Sequence, residues 1–375
     1  MYVEIESAEA LAAHLDAHDH LRRVVVQGVD LTGLSDRLLE VPGHDAAFLG
    51  CRLEPPVSEH LRASGAVIFP ELGDRPYHPY RPRLYRPEEL LEGTEAGRPA
   101  SFWESSRDAR IYHHYQAHRR AEGPTPILEA LAQRLHDHAI DDAKHDLLHD
   151  GERRCVAIMG GHAMGRDEPR YRTVAEVGRR LAREGYFLVS GGGPGAMEAT
   201  HLGAWLAPHP DEALDEALAV LAPAPSYRDD GWFETALEVK RRFDSDVESL
   251  AIPTWFYGHE PTNLFASHVA KYFSNSLRED GLLAIATHGV VFAPGSAGTV
   301  QEVFMDACQN HYGTFDVISP MVFLDAAYWR DALPARALLE KLSAGRPYAD
   351  RIAYLDDVDA VVRFVVEHPP VPHAP

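Results

Sequence analysis

From residue 155 onward, short uninterrupted apolar runs alternate with amphipathic stretches, and two of the junctions are crowded with glycine. Cys155-Val156-Ala157-Ile158-Met159 reads as a buried strand ending at Gly160-Gly161. Tyr171 to Glu184 is helical in pattern, with Val174, Val177 and Leu181 on one stripe and Gly185 placed as a C-cap. Phe187-Leu188-Val189 is the next strand, followed by Ser190-Gly191-Gly192-Gly193-Pro194-Gly195 and a helix. Strands that are apolar throughout belong in a parallel sheet covered on both faces. The alternation therefore predicts an α/β fold, a Rossmann-like doubly wound sheet running from about 151 to 375.

Further along, Leu250-Ala251-Ile252, Gly289 to Phe292, Met321 to Leu324 and Ile352 to Leu355 read as strands. A Pro-rich, acidic insertion with a helix near Trp232 to Phe243 interrupts the alternation between Ala207 and Asp246. Asn263 to Arg278 reads as a helix that Leu282 to Ala286 extends, and a last helix is expected near Val358 to Glu367. Residues 1–80 hold three short apolar runs and read as a smaller N-terminal α/β lobe. Residues 81–150 read as a connector with two helices, near Ser101–Arg120 and Pro126–Leu148. Ile127, Leu128, Leu131 and Leu135 fall at helical spacing on the second of these.

Composition removes several function classes. A net charge of −21 argues against a broad nucleic-acid face. Cys51, Cys155 and Cys308 form neither a disulfide framework nor a zinc spacing, which fits a reducing cytoplasm. No run of about 18 apolar residues could span a bilayer, and no N-terminal run reads as a signal peptide. The segment from His136-Asp137-His138 through Asp141, Asp142, His145 and His149 puts His138, Asp142, His145 and His149 at helical spacing. It reads as a solvated face of a His-rich chain rather than a metal cluster, and no metal or cofactor is expected.

The glycine junctions carry the chemistry. A glycine turn between a strand and a helix N-terminus lets backbone N–H groups approach an anion. The first also fits a dinucleotide fingerprint, as Gly191-x-Gly193-x-x-Ala196. It follows the second strand of the sheet rather than the first, and no acidic residue ends a strand about twenty residues later. A nicotinamide enzyme is disfavoured on that ground. The second, Pro294-Gly295-Ser296-Ala297-Gly298-Thr299-Val300-Gln301-Glu302, places an acid one turn inside its helix. Thr299 and Glu302 also stand at capping-box spacing, so Glu302 has a second reading as a bond back to the Thr299 N–H.

These residues resemble a known family. Pro294 to Glu302 is similar to the P-G-G-x-G-T-x-x-E signature of the LOG proteins, whose known members are phosphoribohydrolases. Gly192-Gly193-Pro194-Gly195-Ala196-Met197-Glu198-Ala199 resembles their other signature. Gly160-Gly161-His162, Tyr171, Gly203-Ala204 and Glu260-Pro261-Thr262-Asn263 look like the larger bacterial nucleotide 5′-monophosphate nucleosidases. The resemblance covers about 155 to 325. One departure is Ser296 in place of the second glycine. Another concerns a basic pair on the preceding helix, whose best equivalent is Arg278, displaced by one residue with Glu279 beside it; Lys271 is a second candidate.

The resemblance implies hydrolysis of the N-glycosidic bond of a nucleoside 5′-monophosphate to free base and ribose 5-phosphate. Glu302 and Arg278 are then the catalytic expectation. Gly160, Gly161, Gly192, Gly193, Gly195, Ala196, Met197, Glu198, Asn263, Gly295, Ser296, Ala297, Gly298 and Thr299 are the expected substrate and phosphate contacts. A homo-oligomer, dimer or tetramer, is expected by resemblance alone. The competing readings are a non-catalytic nucleotide or molybdenum-cofactor binding protein, a cytokinin riboside monophosphate hydrolase, and a nucleosidase regulated through its N-terminal lobe.

Overall fold

A computed structural model describes residues 2–95, 97–120, 123–149 and 153–373. The chain divides into two compact units, Met1–Leu84 with His113–Leu147, and Tyr85–Tyr112 with Leu148–Pro375. The expected boundary at 151 lies outside the described residues.

The first unit is built on four parallel strands in sequential order: β1 (Val3–Ile5), β2 (Val24–Gln27), β3 (Ala46–Leu49) and β4 (Val67–Phe69). Helices α1 (Ala8–Ala17), α2 (Ser35–Glu40) and α3 (Pro55–Ala63) make the crossovers. β2 and β3 alternate buried and half-buried positions, so one sheet face carries the core. That core joins Val24, Val26 and Phe48 to Leu11, Leu38 and Leu61 from the three helices.

Four helices follow: α4 (Pro87–Leu90), α5 (Ser101–Ser105), α6 (Arg107–Arg120) and α7 (Ile127–His149). α7 reverses its expected orientation. Ile127 is 84% exposed and Leu128 and Leu131 are also exposed, whereas Glu129, His136 and Asp137 are buried. A buried polar side chain is tolerated where it is paired, and Glu129 is paired with Arg75 and Tyr77. The solvated His reading therefore holds for His138, His145 and His149, but not for His136 or Asp137.

The second unit holds a seven-stranded parallel sheet. Its strands are β5 (Cys155–Met159), β6 (Phe187–Ser190), β7 (Ser249–Ala251), β8 (His268–Val269), β9 (Val290–Phe292), β11 (Met321–Leu324) and β12 (Ile352–Leu355). Their spatial order is β12-β11-β9-β5-β6-β7-β8. A short antiparallel pair, β10 (Val317–Ile318) with β13 (Val371–Pro372), stands apart from it. The covering helices are α8 (Pro169–Arg183), α9 (Ala196–Trp205), α10 (Glu212–Leu221), α11 (Trp232–Arg242), α12 (Asn275–Ile285), α13 (Ala297–Tyr312), α14 (Ala335–Ser343) and α15 (Val358–Glu367). β5 and β6 are buried at every position, as continuous apolar runs require. Among the described residues no helix is long and apolar enough to cross a membrane.

One expected element is wrong. Asn263 to Arg278 is not a helix: the chain there runs through the two-residue strand β8, and the helix begins at Asn275. Leu264, Phe265, Val269, Tyr272 and Phe273 mimic helical spacing because nearly the whole segment is buried. Its backbone is satisfied across the sheet edge instead. Val269 N–H donates to the Tyr85 carbonyl at 2.8 Å, and Tyr85 N–H returns a bond to Val269 at 3.0 Å. The insertion also contains an unanticipated helix, α10.

Candidate functional site

β5 is the first strand of its sheet, and its two neighbours, β6 and β9, come later from opposite directions. The crevice beyond the carboxyl ends of such strands is where open α/β sheets bind ligands. Gly160-Gly161 at the end of β5 ties the two glycine turns together. Gly161 N–H donates to the Pro294 carbonyl at 3.0 Å, and Ala196 N–H donates to the Gly161 carbonyl at 3.1 Å. A side chain at Gly160 would come within 2.7 Å of Ala196 Cβ and 3.0 Å of Ala293 Cβ. This junction brings together turns that are about a hundred residues apart.

The first turn is buried from Gly191 through Ala196. Gly192 and Gly195 have φ of +74° and +72°, a region that favours glycine. Gly191 and Gly193 make room for the Met197 side chain, whose Sδ and Cε lie 2.8 Å from where their β-carbons would be. Every glycine of this turn thus has a conformational or packing reason. The glycines that read in the sequence as an anion-binding turn are used here by the fold itself.

The rest of α9 is braced from within. Glu198 is buried against Arg166, with Nε–Oε2 at 2.9 Å and Nη2–Oε1 at 2.5 Å, and accepts the Tyr171 hydroxyl at 2.9 Å. Arg166 also donates to the Trp232 carbonyl and to Thr235 Oγ1, pinning the insertion to α9. Ser190 Oγ accepts Gly192 N–H at 3.1 Å and is joined to His201 Nε2 at 2.8 Å. Burial pushes His201 down to about 3, so this imidazole stays neutral. Asn263 Nδ2 donates to the Met197 carbonyl, and its Oδ1 accepts Phe265 N–H, so both ends of its amide hold protein.

The second turn is open. Ser296, Ala297 and Gly298 are exposed at the start of α13, and no side chain caps that helix. Ser296 is the N-cap residue, with φ of −115°. That is not a left-handed conformation, so serine there carries no strain. Thr299 lies inside the helix and is buried, with Oγ1 filling the place of a Gly295 side chain, 2.1 Å from its ideal Cβ. The capping-box reading fails, because a box built on Thr299 needs that residue at the helix boundary. Gly298 has neither a positive φ nor any atom within 4 Å of where a Cβ would point.

Glu302 instead faces α12. Its Oε1 lies 3.6 Å from Arg278 Nη1, and the two side chains are 13% and 11% exposed. Burial lifts Glu302 to about 7; Arg278 opposes that shift and Glu279 adds to it. Arg278 Nε is buried without a hydrogen-bond partner among the described residues. Its Nη2 is 3.8 Å from Glu279, which also accepts from Gln301 at 2.7 Å. Arg278 Nη1 is 3.8 Å from the ideal Cβ of Gly191, so this pair meets the first turn as well. Lys271, the alternative base, is buried elsewhere, 2.8 Å from Asp108.

Reading the sequence did not single out Glu260 as a site residue, although it stands in the quoted Glu260-Pro261-Thr262-Asn263. Its Oε2 is 2.8 Å from the ideal Cβ of Gly193. The segment bearing it is anchored by the buried carboxylate of Asp108. That group accepts from Trp255 Nε1 at 2.7 Å, Lys271 Nζ at 2.8 Å and Thr262 Oγ1 at 3.3 Å. Burial raises the Asp108 carboxyl, but the neighbouring Lys271 and His259 hold it well below the carboxylate range.

Two cavities open beside the Gly161–Met164 loop. One, of about 280 Å³, is lined by Gly195, Tyr227, Arg228 and Trp232. The other, of about 230 Å³, is lined by Gly295, Ser296, Arg170 and Tyr328. The Tyr328 hydroxyl donates to the Gly295 carbonyl. Neither Glu302 nor Arg278 is among the lining residues of either cavity.

Residues 153–207 match the SLOG cluster4 family. The match takes in β5, α8, β6, the first glycine turn and α9. No curated protein sequence matches the chain. Among solved structures, the molybdenum cofactor binding protein of Rippkaea orientalis aligns at 13% identity and a TM-score of 0.38, over 57% of this chain and 96% of that one. The molybdenum cofactor carrier protein of Chlamydomonas reinhardtii aligns at 15% identity and 0.37, over 57% and 97%. Likeness at this level concerns chain architecture and carries nothing about ligands.

Proposed function

We propose that the carboxyl ends of β5, β6 and β9 bind a phosphate-bearing ligand of the nucleotide class, and that Glu302 and Arg278 act on its N-glycosidic bond. The phosphate is assigned to the exposed first turn of α13. Uncapped N–H groups and the helix dipole favour an anion there, and the Ser296 hydroxyl is a further donor. The observation that carries the catalytic part is Glu302 itself. It is a largely enclosed carboxyl, 13% exposed, lying 3.6 Å from the Arg278 guanidinium, one turn below that helix start.

Cleavage of an N-glycosidic bond builds positive charge on the anomeric carbon and ring oxygen. Ionised Glu302 would stabilise that charge and take a proton from the attacking water as its oxygen bonds the anomeric carbon; as the C–N bond breaks, that proton is passed on to the departing base, so one water is added across the bond. A carboxyl at about 7 is ionised in about half the molecules at neutral pH. Arg278 keeps the anionic form accessible despite burial.

A second reading is carriage without catalysis. It is favoured by the 230 Å³ cavity, which touches Gly295 and Ser296 without reaching Glu302. A ligand seated there would be held and not cleaved. Incubation with AMP, GMP, CMP, UMP and IMP, followed by assay of free base, separates the two. Base release that Glu302→Gln abolishes supports hydrolysis. Nucleotide or molybdenum-cofactor binding without base release supports carriage. Absence of binding and turnover for every ligand would overturn both.

A further inference from the structure

The N-terminal unit holds a separate cluster of ligand-type side chains. α6 carries His114 and His118 one turn apart, so their rings leave the same face. α7 carries the buried Glu129 opposite them. One ligand atom from each of the three residues lies within 4.8 Å of the others. His114 Nε2 is buried, lies 3.2 Å from Glu129 Oε2, and makes no hydrogen bond of acceptable geometry. Two donors held about 2.1 Å from one tetrahedral ion stand roughly 3.4 Å apart. The gap thus has the spacing of two ligands of one ion.

The surroundings orient both kinds of ligand. His118 Nδ1 lies 2.8 Å from the His114 carbonyl. That bond places the ring hydrogen on Nδ1 and leaves the Nε2 lone pair for a metal. Glu129 Oε1 accepts from Tyr77 at 2.7 Å and Gln133 at 3.0 Å, which turns Oε2 toward the histidines.

We infer that His114, His118 and Glu129 bind one divalent ion of borderline softness, such as zinc. His114 remains partly exposed, so water can complete the coordination. The nearby cation is Arg75, whose Nε is 2.9 Å from Glu129 Oε2 and shares that oxygen. It sets the affinity below that of a closed structural site.

The test uses the full chain stripped with a chelator and titrated with Zn²⁺ against a chromophoric competitor. One competitor-resistant equivalent per chain is expected. His118→Ala should weaken it by more than the roughly 10–100-fold typical of a lost outer-shell partner, while circular dichroism stays that of the wild type. Arg75→Gln should keep the stoichiometry and tighten binding. Co²⁺ on the wild-type chain should give the intense visible bands of a four-coordinate site, a readout that needs no variant. Absence of a resistant equivalent on the wild type, or its retention in His118→Ala, would overturn the assignment and leave an ordinary His114–Glu129 contact.

Discussion

The two glycine turns look alike in the sequence and differ in the fold. The first is buried, with its glycines used by positive φ and by the Met197 side chain. The second has one glycine, Gly295, packed under Thr299, and another, Gly298, with nothing above it. Glycine density therefore reports crowding at the first turn, where β6, α9 and the segment carrying Glu260 converge. The exposed, uncapped helix start at the second turn is the feature that suits an anion. A glycine without a structural reason says more about a ligand than four that have one.

The largest expected effect that can break this comparison is on folding. Gly195→Ala places a β-carbon 2.4 Å from the Gly161 carbonyl oxygen at φ +72°, and a loss of about 3 kcal/mol or more is expected. Urea denaturation measures it. A stable, fully active variant would mean that the first turn is not structural.

Next comes Glu302→Gln. If Glu302 works as a base, base release should fall by about 10²–10⁴-fold with nucleotide affinity kept. The wild-type kcat/KM should rise with pH through about 7. Stability should move the other way. The folded value lies above the ordinary value of 4.5, so the group's contribution is fully present below about 4.5 and is lost as pH rises through about 7. Glu302→Gln should then be more stable than wild type at pH 8, by on the order of 3 kcal/mol, and equal to it at pH 4. Thermal unfolding at the two pH values checks the sign.

A smaller effect sharpens the contrast. Gly298→Ala enters open space on a helix, so stability should hold or rise by about 0.5–1 kcal/mol. Nucleotide affinity should fall if a phosphate packs on that residue, as equilibrium dialysis would detect. Unchanged affinity would remove the phosphate from this turn. Smallest of all is Ser296→Gly. At φ −115° no strain is relieved and no side-chain cap bond is lost, so stability should drop by no more than about a few tenths of a kcal/mol. A marked gain in stability would contradict the observed backbone.

Several features were legible because they rest on local pattern. The buried strands β5, β6 and β11 were readable from unbroken apolar runs, and α15 from its period. Glu302 was marked by its place one turn inside the second helix and Arg278 by the family resemblance alone, and the structure brings them within 3.6 Å. The segment 263–274 was misread, because a fully buried stretch has no polar face to set its period and its partner Tyr85 is remote in sequence. The apolar stripe of α7 was legible as a helix but not in its orientation, which the pairing of Glu129 with Arg75 and Tyr77 governs.

By itself the sequence determined a doubly wound sheet with glycine turns after two of its strands and an acid one turn into the second helix, because strand and helix periods are local properties. Only the tertiary structure decided which turn is filled and which is open, that Glu302 faces Arg278 rather than capping Thr299, and that His114, His118 and Glu129 meet. Burial and charge pairing depend on residues far apart in the chain, and these set the hydrogen bonds and proton affinities from which chemistry follows.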